Sequence, residues 1–142
     1  IDHKFLMQSV QLPKAAKSGL FKAIKAGVRG EFPSSESGTP QGGVISPLLA
    51  NLVLHGLEDI ANKYTKSGKE IAGQTRGFRY ADDVVYILQP HEDAGALRVR
   101  IEDFLASRGL KVKEAKTKLV HSTDGFDFLG WNLKVKPNGK FI

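Results

Sequence analysis

The sequence predicts an α+β fold in which a small antiparallel sheet packs on one face against two helices. A chain of 142 residues, 41% of them hydrophobic, is long enough to build one core. Apolar residues recur at helical spacing on both sides of a pair of short runs rich in aromatic and β-branched residues. No internal repeat or low-complexity stretch divides the chain, so we expect a single domain.

Two of the predicted helices have an apolar stripe and a charged opposite face. The first covers residues 14–25 and is expected to end at Gly27. Its apolar side is formed by Leu20, Phe21 and Ile24. The other is predicted from about Glu92 to Arg108, with Gly109 as its C-terminal cap. Its buried stripe is formed by Leu97, Ile101, Phe104 and Leu105, and we expect its arginines, Arg98, Arg100 and Arg108, to face solvent.

A further helix follows a loop rich in Gly, Ser and Pro. Ser46 is expected to cap it and Pro47 to occupy its first position, where proline loses only an unpaired donor. Ser67-Gly68 is expected to end it. One face of this predicted helix is apolar and consists of Val53, Leu57, Ile60, Ala61 and Tyr64.

Two adjacent carboxylates lie between the short apolar runs of residues 77–88. These runs suit the strands of a hairpin through Phe78, Tyr80, Val84, Val85, Tyr86 and Ile87. A tight turn carrying Ala81 and Asp82 would bring the side chains of Asp82 and Asp83 close together, where like charges repel unless a cation neutralises them. A hard divalent cation, Mg²⁺ or Mn²⁺, suits such oxygen ligands. The alternative is a polar turn without function, a common position for Asp.

Shorter elements are predicted after residue 109. Residues 110–112 and 118–121 are expected to form two short strands. Residues 125–135 are expected to belong to a hairpin with Asn138-Gly139 as its two-residue turn. We expect Phe126 and Phe128 in the core, and for Trp131 the sequence leaves both core and surface open.

Composition limits the possible functions. The net charge of +6 and a sequence pI of about 9.6 make a polyanionic partner plausible, although a lysine-rich helix face is more often solvated. The absence of cysteine excludes disulfides and thiolate metal sites. No signal-peptide pattern or membrane-spanning apolar run is found, so we expect a soluble intracellular protein that is not secreted.

Two blocks of the sequence resemble the reverse transcriptases encoded by bacterial and organellar group II introns. They are Gly-Thr-Pro-Gln-Gly-Gly-Val-Ile-Ser-Pro-Leu-Leu-Ala-Asn-Leu at residues 38–52 and Arg-Tyr-Ala-Asp-Asp at residues 79–83. The resemblance implies a polymerase palm and an RNA-directed DNA polymerase, a nucleotidyltransferase that extends a primer 3′ end by two-metal catalysis, with a splicing maturase role. The run from Val44 to Asn51 favours the intron type over the related polymerases of retrons, diversity-generating elements and CRISPR loci.

The resemblance also implies roles for individual residues. Asp82 would be the stronger and Asp83 the auxiliary metal ligand, with Mg²⁺ as the cofactor and Mn²⁺ as the alternative. Lys116, in a segment like the family's Gly-Leu … Lys-Thr, would neutralise or protonate the departing pyrophosphate. The positions that match the nucleotide and template contacts are Pro40, Gln41, Gly42 and Tyr80. The positions that match the primer grip are Leu129, Gly130 and Trp131.

The resemblance further implies that residues 1–142 are a partial domain. The fingers, the thumb and the first metal-binding aspartate of the family would lie outside it, so we expect the isolated chain to be inactive. The implied partners are an RNA template, intron RNA, a DNA primer, deoxynucleoside triphosphates and the remaining fingers and thumb of the parent protein. The alternative is a non-catalytic RNA-binding module or remnant maturase that assists the folding of an intron.

Overall fold

A computed structural model of the chain describes residues 1–25, 45–136 and 138–140. The helices within these residues are α1 (His3–Ser9), α2 (Lys14–Lys25), α3 (Ser46–Leu54) and α4 (Ala94–Ala106), with a short 3₁₀ helix at Glu114–Lys116. The strands are β1 (Arg76–Tyr80), β2 (Asp83–Ile87), β3 (Phe126–Phe128) and β4 (Trp131–Leu133). β1 pairs with β2 and β3 with β4, both antiparallel. The α+β class is confirmed, with the strands in two separate hairpins.

The first core cluster joins the three N-terminal helices. Asp2 caps α1: its carboxylate accepts a hydrogen bond from the Phe5 N–H at 2.8 Å, which lowers the pKa of Asp2. α2 has the predicted bounds, and the predicted stop at Gly27 lies outside the described residues. The cluster consists of Leu6, Val10, Ile24, Leu49 and Val53. Burial of these side chains fixes how α1 and α2 pack against α3.

α3 is shorter than predicted. It begins at Ser46, one residue before the expected start, and ends at Leu54 rather than near residue 67. His55 leaves the helix with ψ of 130°, and Gly56 completes the turn with φ of +86°, a left-handed conformation that glycine adopts at no steric cost. The chain then continues through turns, yet most of the predicted face is still covered: Val53, Leu57 and Ala61 are buried and Ile60 is half-buried. Tyr64 is exposed, contrary to expectation, and pairs with Glu70 in an isolated β-bridge.

α4 covers a second core cluster formed with the segment after α3. Asp93 caps the helix by accepting from the Gly95 N–H at 2.7 Å. Gly109, at φ of +68°, ends it as predicted, and the Leu110 N–H donates to the Leu105 carbonyl. The buried members of the cluster are Leu54, Leu57 and Leu105. The stripe predicted for this helix is confirmed, because Leu97 and Leu105 are buried and Ile101 and Phe104 are half-buried.

The prediction that Arg108 faces solvent is wrong. Its Nε donates to the Val53 carbonyl at 3.0 Å and its Nη1 donates to the Phe104 carbonyl at 2.8 Å. The guanidinium lies 3.3 Å from the ring centroid of Phe104 and 4.8 Å from that of Phe5. Burial lowers the pKa of Arg108. This side chain therefore joins α1, α3 and α4, whereas Arg98 and Arg100 are exposed as expected.

The C-terminal third differs most from the prediction. Residues 110–112 and 118–121 form no strands, and no described segment pairs with them. The predicted hairpin exists, but its turn is Leu129-Gly130, with φ of 53° and 81°, and not Asn138-Gly139. Asn138-Gly139 lies in a separate turn, in which the Gly139 N–H donates to the Lys136 carbonyl. None of the helices in the described ranges has the length and apolar character needed to cross a membrane.

The position of Arg108 generates a stability prediction. We expect Arg108→Ala to lower the free energy of unfolding by about 2 kcal/mol, since two backbone carbonyls lose a charged donor and two aromatic rings lose a covering group. Urea unfolding followed by circular dichroism measures this. Arg98→Ala is the matched control on the same helix and should cost much less stability, because its ion pairs are exposed. Equal losses of unfolding free energy in the two variants would contradict the role of Arg108 in joining the three helices.

The β3-β4 turn generates a second stability prediction. Leu129 adopts a left-handed conformation that costs a leucine about 1 kcal/mol, whereas Asn tolerates it and Asn-Gly is the preferred pair in such turns. Leu129→Asn should therefore raise the free energy of unfolding by about 0.5 to 1 kcal/mol. Gly130→Ala should lower it, although an added Cβ meets no atom within 4 Å. A destabilised Leu129→Asn variant in the same urea titration would show that Leu129 contributes packing that outweighs the turn.

Candidate active site

The predicted hairpin carries both carboxylates at its tip. Tyr80 pairs with Asp83, so Ala81 and Asp82 form a two-residue turn between β1 and β2. Ala81 has φ of 53°, a left-handed conformation that is unfavourable for alanine and is held here by the surrounding structure. Asp82 lies in the turn, Asp83 opens β2, and both side chains are exposed. The structure therefore presents two adjacent carboxylates to solvent at one end of the hairpin.

The two faces of β1 differ in character. Burial alternates along the strand, with Gly77 and Arg79 on the covered face and Arg76, Phe78 and Tyr80 on the open face. Phe78 is 50% exposed and Tyr80 is 65% exposed. The open face thus offers two aromatic rings next to the carboxylates, an arrangement suited to stacking with a planar ligand.

The covered face of the hairpin lies directly on the segment after α3. A Cβ at Gly77 would collide with the Glu58 carbonyl oxygen and would lie 2.8 Å from the ring of Tyr86. The Tyr86 hydroxyl donates to the Leu57 carbonyl, and burial raises the pKa of this phenol. Val84 packs against the second core cluster. Only glycine at position 77 leaves room for the Glu58 backbone, so this contact sets the distance between the hairpin and the segment after α3.

Arg79 connects the turn to two other segments through four hydrogen bonds. Its Nε donates to Glu58 Oε2 at 2.8 Å and its Nη2 donates to Glu58 Oε1 at 3.3 Å. Its Nη1 donates to Asn51 Oδ1 on α3 and to the Ala81 carbonyl, each at 2.9 Å. The Arg79 hydrogen bond lowers the pKa of Glu58 and keeps this carboxyl ionised. The guanidinium therefore holds the backbone of the carboxylate turn.

The donor set at the hairpin tip fits a divalent cation in part. The described residues contain no group of three or more His, Cys, Asp or Glu side chains that could hold a metal ion. Asp82 and Asp83 supply two hard, exposed oxygen ligands. Mg²⁺ retains several water molecules and is commonly held by one or two carboxylates together with substrate phosphates. The chemistry of the two side chains matches such an ion, which would need further ligands beyond these two.

The remaining predicted site residues belong to other segments of the chain. Pro40, Gln41 and Gly42 fall outside the described residues. Lys116 is exposed on the 3₁₀ helix, a segment tied to α4 by the ion pair between Arg98 and Glu114. Three others lie on the second hairpin, namely Leu129, Gly130 and Trp131.

Trp131 is 74% exposed, so the structure resolves the open alternative in favour of the surface. Phe126 and Phe128, predicted as core, are only half-buried and belong to neither core cluster. The Asp127 carboxylate accepts a hydrogen bond from the Asn132 side chain at 2.8 Å, which links β3 to β4. The tip of this hairpin is therefore available to a ligand.

Sequence reasoning missed Arg79, Glu58 and Asn51 as parts of the site. A signal was available for Arg79, because the alternation of β1 places it on the same face as Gly77 and opposite Phe78 and Tyr80. A glycine and an arginine on the inward face indicate close backbone approach and an ion pair. Glu58 carried no such signal, since its position depends on the unpredicted end of α3.

Comparison with known proteins identifies the family of the chain. Residues 1–133 match the family model for reverse transcriptase (RNA-dependent DNA polymerase). The chain is similar to maturase-like protein 1 of Euglena gracilis, with 31% identity over 139 residues covering 98% of this chain and 27% of the relative. Protein YkfC of Escherichia coli is 32% identical over 166 residues, covering 94% of this chain and 43% of YkfC.

A third relative is named for a group II intron. The group II intron-encoded protein LtrA of Lactococcus lactis is 26% identical over 200 residues, covering 98% of this chain and 33% of LtrA. The chain thus spans between 27% and 43% of the length of these three relatives. The family match extends over both hairpins and nearly all of the sequence, and the chain belongs to the reverse transcriptase family, within the group II intron reverse transcriptases and maturases.

Proposed function

We propose that this chain is the palm of an RNA-directed DNA polymerase that extends a primer 3′ end on an RNA template. The observation that carries the proposal is the pair of exposed carboxylates, Asp82 and Asp83, at the tip of a hairpin held on its other face by the Glu58 segment. A plain polar turn has no need of such anchoring. The family match and the open aromatic face of β1 support the same function.

Asp82 and Asp83 would hold the divalent cation, with Mg²⁺ as the expected ion and Mn²⁺ as a substitute. Together with a second ion, it would supply activation of the attacking 3′-hydroxyl and stabilisation of the leaving pyrophosphate. Two-metal catalysis needs ligands from separate elements, and the described residues contain no group of three or more candidate ligands. We therefore propose that the 142-residue chain alone is inactive and that the first aspartate, the fingers and the thumb belong to the parent protein.

Other side chains would orient the substrates. The exposed ring of Tyr80 would contact the nucleotide or template beside the carboxylates. Exposure of Leu129 and Trp131 at the second hairpin tip suits contact with the primer. Lys116 would neutralise or protonate the departing pyrophosphate. Pro40, Gln41 and Gly42 are assigned to the nucleotide pocket on the resemblance alone.

The proposed partners are an RNA template, a DNA primer, deoxynucleoside triphosphates and the intron RNA whose splicing a maturase assists. The names of the relatives and the net charge of +6 support binding to RNA. We further propose that the protein acts in a bacterial cytoplasm or an organelle, in line with relatives such as the E. coli and Euglena proteins.

Substitution of the carboxylates tests the polymerase function. In the full-length polypeptide that the gene encodes, Asp82→Asn and Asp83→Asn should each reduce primer extension, to below about one hundredth for Asp82→Asn, because the metal loses charged ligands. Asp103→Asn, an exposed carboxylate on α4, is the matched control and should leave extension unchanged.

Splicing of the intron RNA distinguishes the alternative function. A non-catalytic RNA-binding module should show no primer extension in the wild type. The variant that combines Asp82→Asn and Asp83→Asn should then support splicing as well as the wild type does. That pair of results would replace the polymerase proposal with the RNA-binding one. If the wild type extends the primer and the Asp82→Asn variant does not, the RNA-binding alternative is excluded.

A further inference from the structure

We propose that Arg79 is a positioning residue that sets the orientation of the carboxylate turn and couples it to α3. This inference rests on the proposed function and deepens it. Arg79 does not reach into the solvent at the hairpin tip; its side chain is only 11% exposed and lies on the opposite face of β1 from Tyr80. It acts on Asp82 through the backbone of the turn.

The first argument is geometric. The Arg79 Nη1 donates to the carbonyl of Ala81, the residue that adopts the left-handed conformation and directly precedes Asp82. Left-handed alanine is unfavourable, so the turn keeps this shape only if other contacts hold it. The side chain of Arg79 supplies a charged donor to that carbonyl, and such hydrogen bonds are stronger than neutral ones.

The second argument is that Arg79 is itself fixed from two sides. Glu58 accepts from its Nε and Nη2 in the paired geometry characteristic of Arg–carboxylate contacts, at 2.8 and 3.3 Å. Asn51 on α3 accepts from Nη1 at 2.9 Å. A guanidinium held in one orientation transmits the position of these partners to the turn. Displacement of α3 would therefore change the position of Asp82.

The third argument is a contrast within the same strand. Arg76 also forms an ion pair, with Glu70 at 2.8 Å, but the two side chains are 50% and 43% exposed. That pair lies at the far end of β1 from the turn and contacts no part of it among the described residues. Arg76 is thus a matched control for the loss of an arginine from this strand.

Lysine cannot replace the function of Arg79 fully. A single ammonium group has no planar fork and cannot meet the Glu58 carboxylate at both oxygens while also reaching Asn51 and the Ala81 carbonyl. We expect Arg79→Lys to keep part of the interaction and Arg79→Gln to keep less. We therefore expect activity to fall from the wild type to Arg79→Lys and further to Arg79→Gln, which indicates positioning by hydrogen bonds and charge.

The test uses the full-length polypeptide with Arg79→Gln, Arg79→Lys and Arg76→Gln. Steady-state primer extension separates kcat from the KM for the deoxynucleotide, and an electron paramagnetic resonance titration with Mn²⁺ alone measures metal affinity. Arg79→Gln should lower kcat about tenfold to a hundredfold with little change in KM, because the reacting groups are misplaced rather than lost. It should also weaken Mn²⁺ binding about tenfold, as loss of a group that orients a ligand does. Arg76→Gln should match the wild type in both.

The outcomes separate this inference from the function on which it rests. If Asp82→Asn loses extension while Arg79→Gln keeps wild-type kcat and Mn²⁺ affinity, the positioning role is wrong and the polymerase stands. A lower melting temperature in Arg79→Gln with unchanged kcat and Mn²⁺ affinity shows a purely structural side chain and also overturns it. If Asp82→Asn retains extension, the proposed function fails and the role of Arg79 in it fails as well.

Discussion

The end of α3 at Leu54 is the constraint on which the candidate site depends. His55 leaves the helical conformation with ψ of 130°, and Gly56 follows in a left-handed conformation, so the backbone turns toward the first hairpin. As a result the Leu57 carbonyl accepts from Tyr86, and the Glu58 carbonyl abuts Gly77. A helix continuing through this segment would keep both carbonyls in its own hydrogen bonds. The docking of the hairpin therefore follows from one interruption in the helix.

The hairpin is held by polar groups where an apolar face would be usual. β1 turns an arginine and a glycine toward the helices, and only Val84 of β2 joins the neighbouring core cluster. Apolar packing is non-directional and leaves small rotations of a short hairpin nearly equal in energy. Hydrogen bonds from Arg79 to Glu58 and Asn51 have fixed directions, so they select one orientation. Such specificity matters more at a turn that carries ligands than additional burial does.

The periodicity of the sequence correctly predicted the elements that depend only on the local spacing of apolar residues. The hairpin at residues 76–87, the bounds of α2 and the buried stripe of α4 all followed from spacing that one element imposes on its own residues. The end of α3 did not, because its apolar spacing continues through Leu57 and Ala61 although the helix has stopped. Turns that return the chain to the same core produce the same burial pattern. Only the glycine marked the boundary, and an isolated glycine is tolerated in many helices.

Contacts between distant residues were also beyond the reach of the sequence. Arg108 carries the charge of a solvent-facing residue, but its environment comes from carbonyls and rings on three helices. The strands expected at residues 110–112 and 118–121 have suitable composition, yet a strand forms only when a partner offers hydrogen bonds. For the second hairpin, Asn-Gly is the stronger turn signal, but the observed turn uses Leu129-Gly130.

The choice of Leu at position 129 gives a physical reason to connect that tip with function. Asparagine would fit the left-handed backbone better, so leucine there is unfavourable for local structure. It is also half-exposed, and the neighbouring Trp131 is more exposed still, so neither side chain is accounted for by core packing. Apolar side chains displayed on a strained turn are explained if they contact a ligand. The first hairpin shows the same combination, with Ala81 in a left-handed conformation beside the exposed Asp82 and Tyr80. Both tips thus depart from the best local sequence at the positions where the proposed substrates would bind.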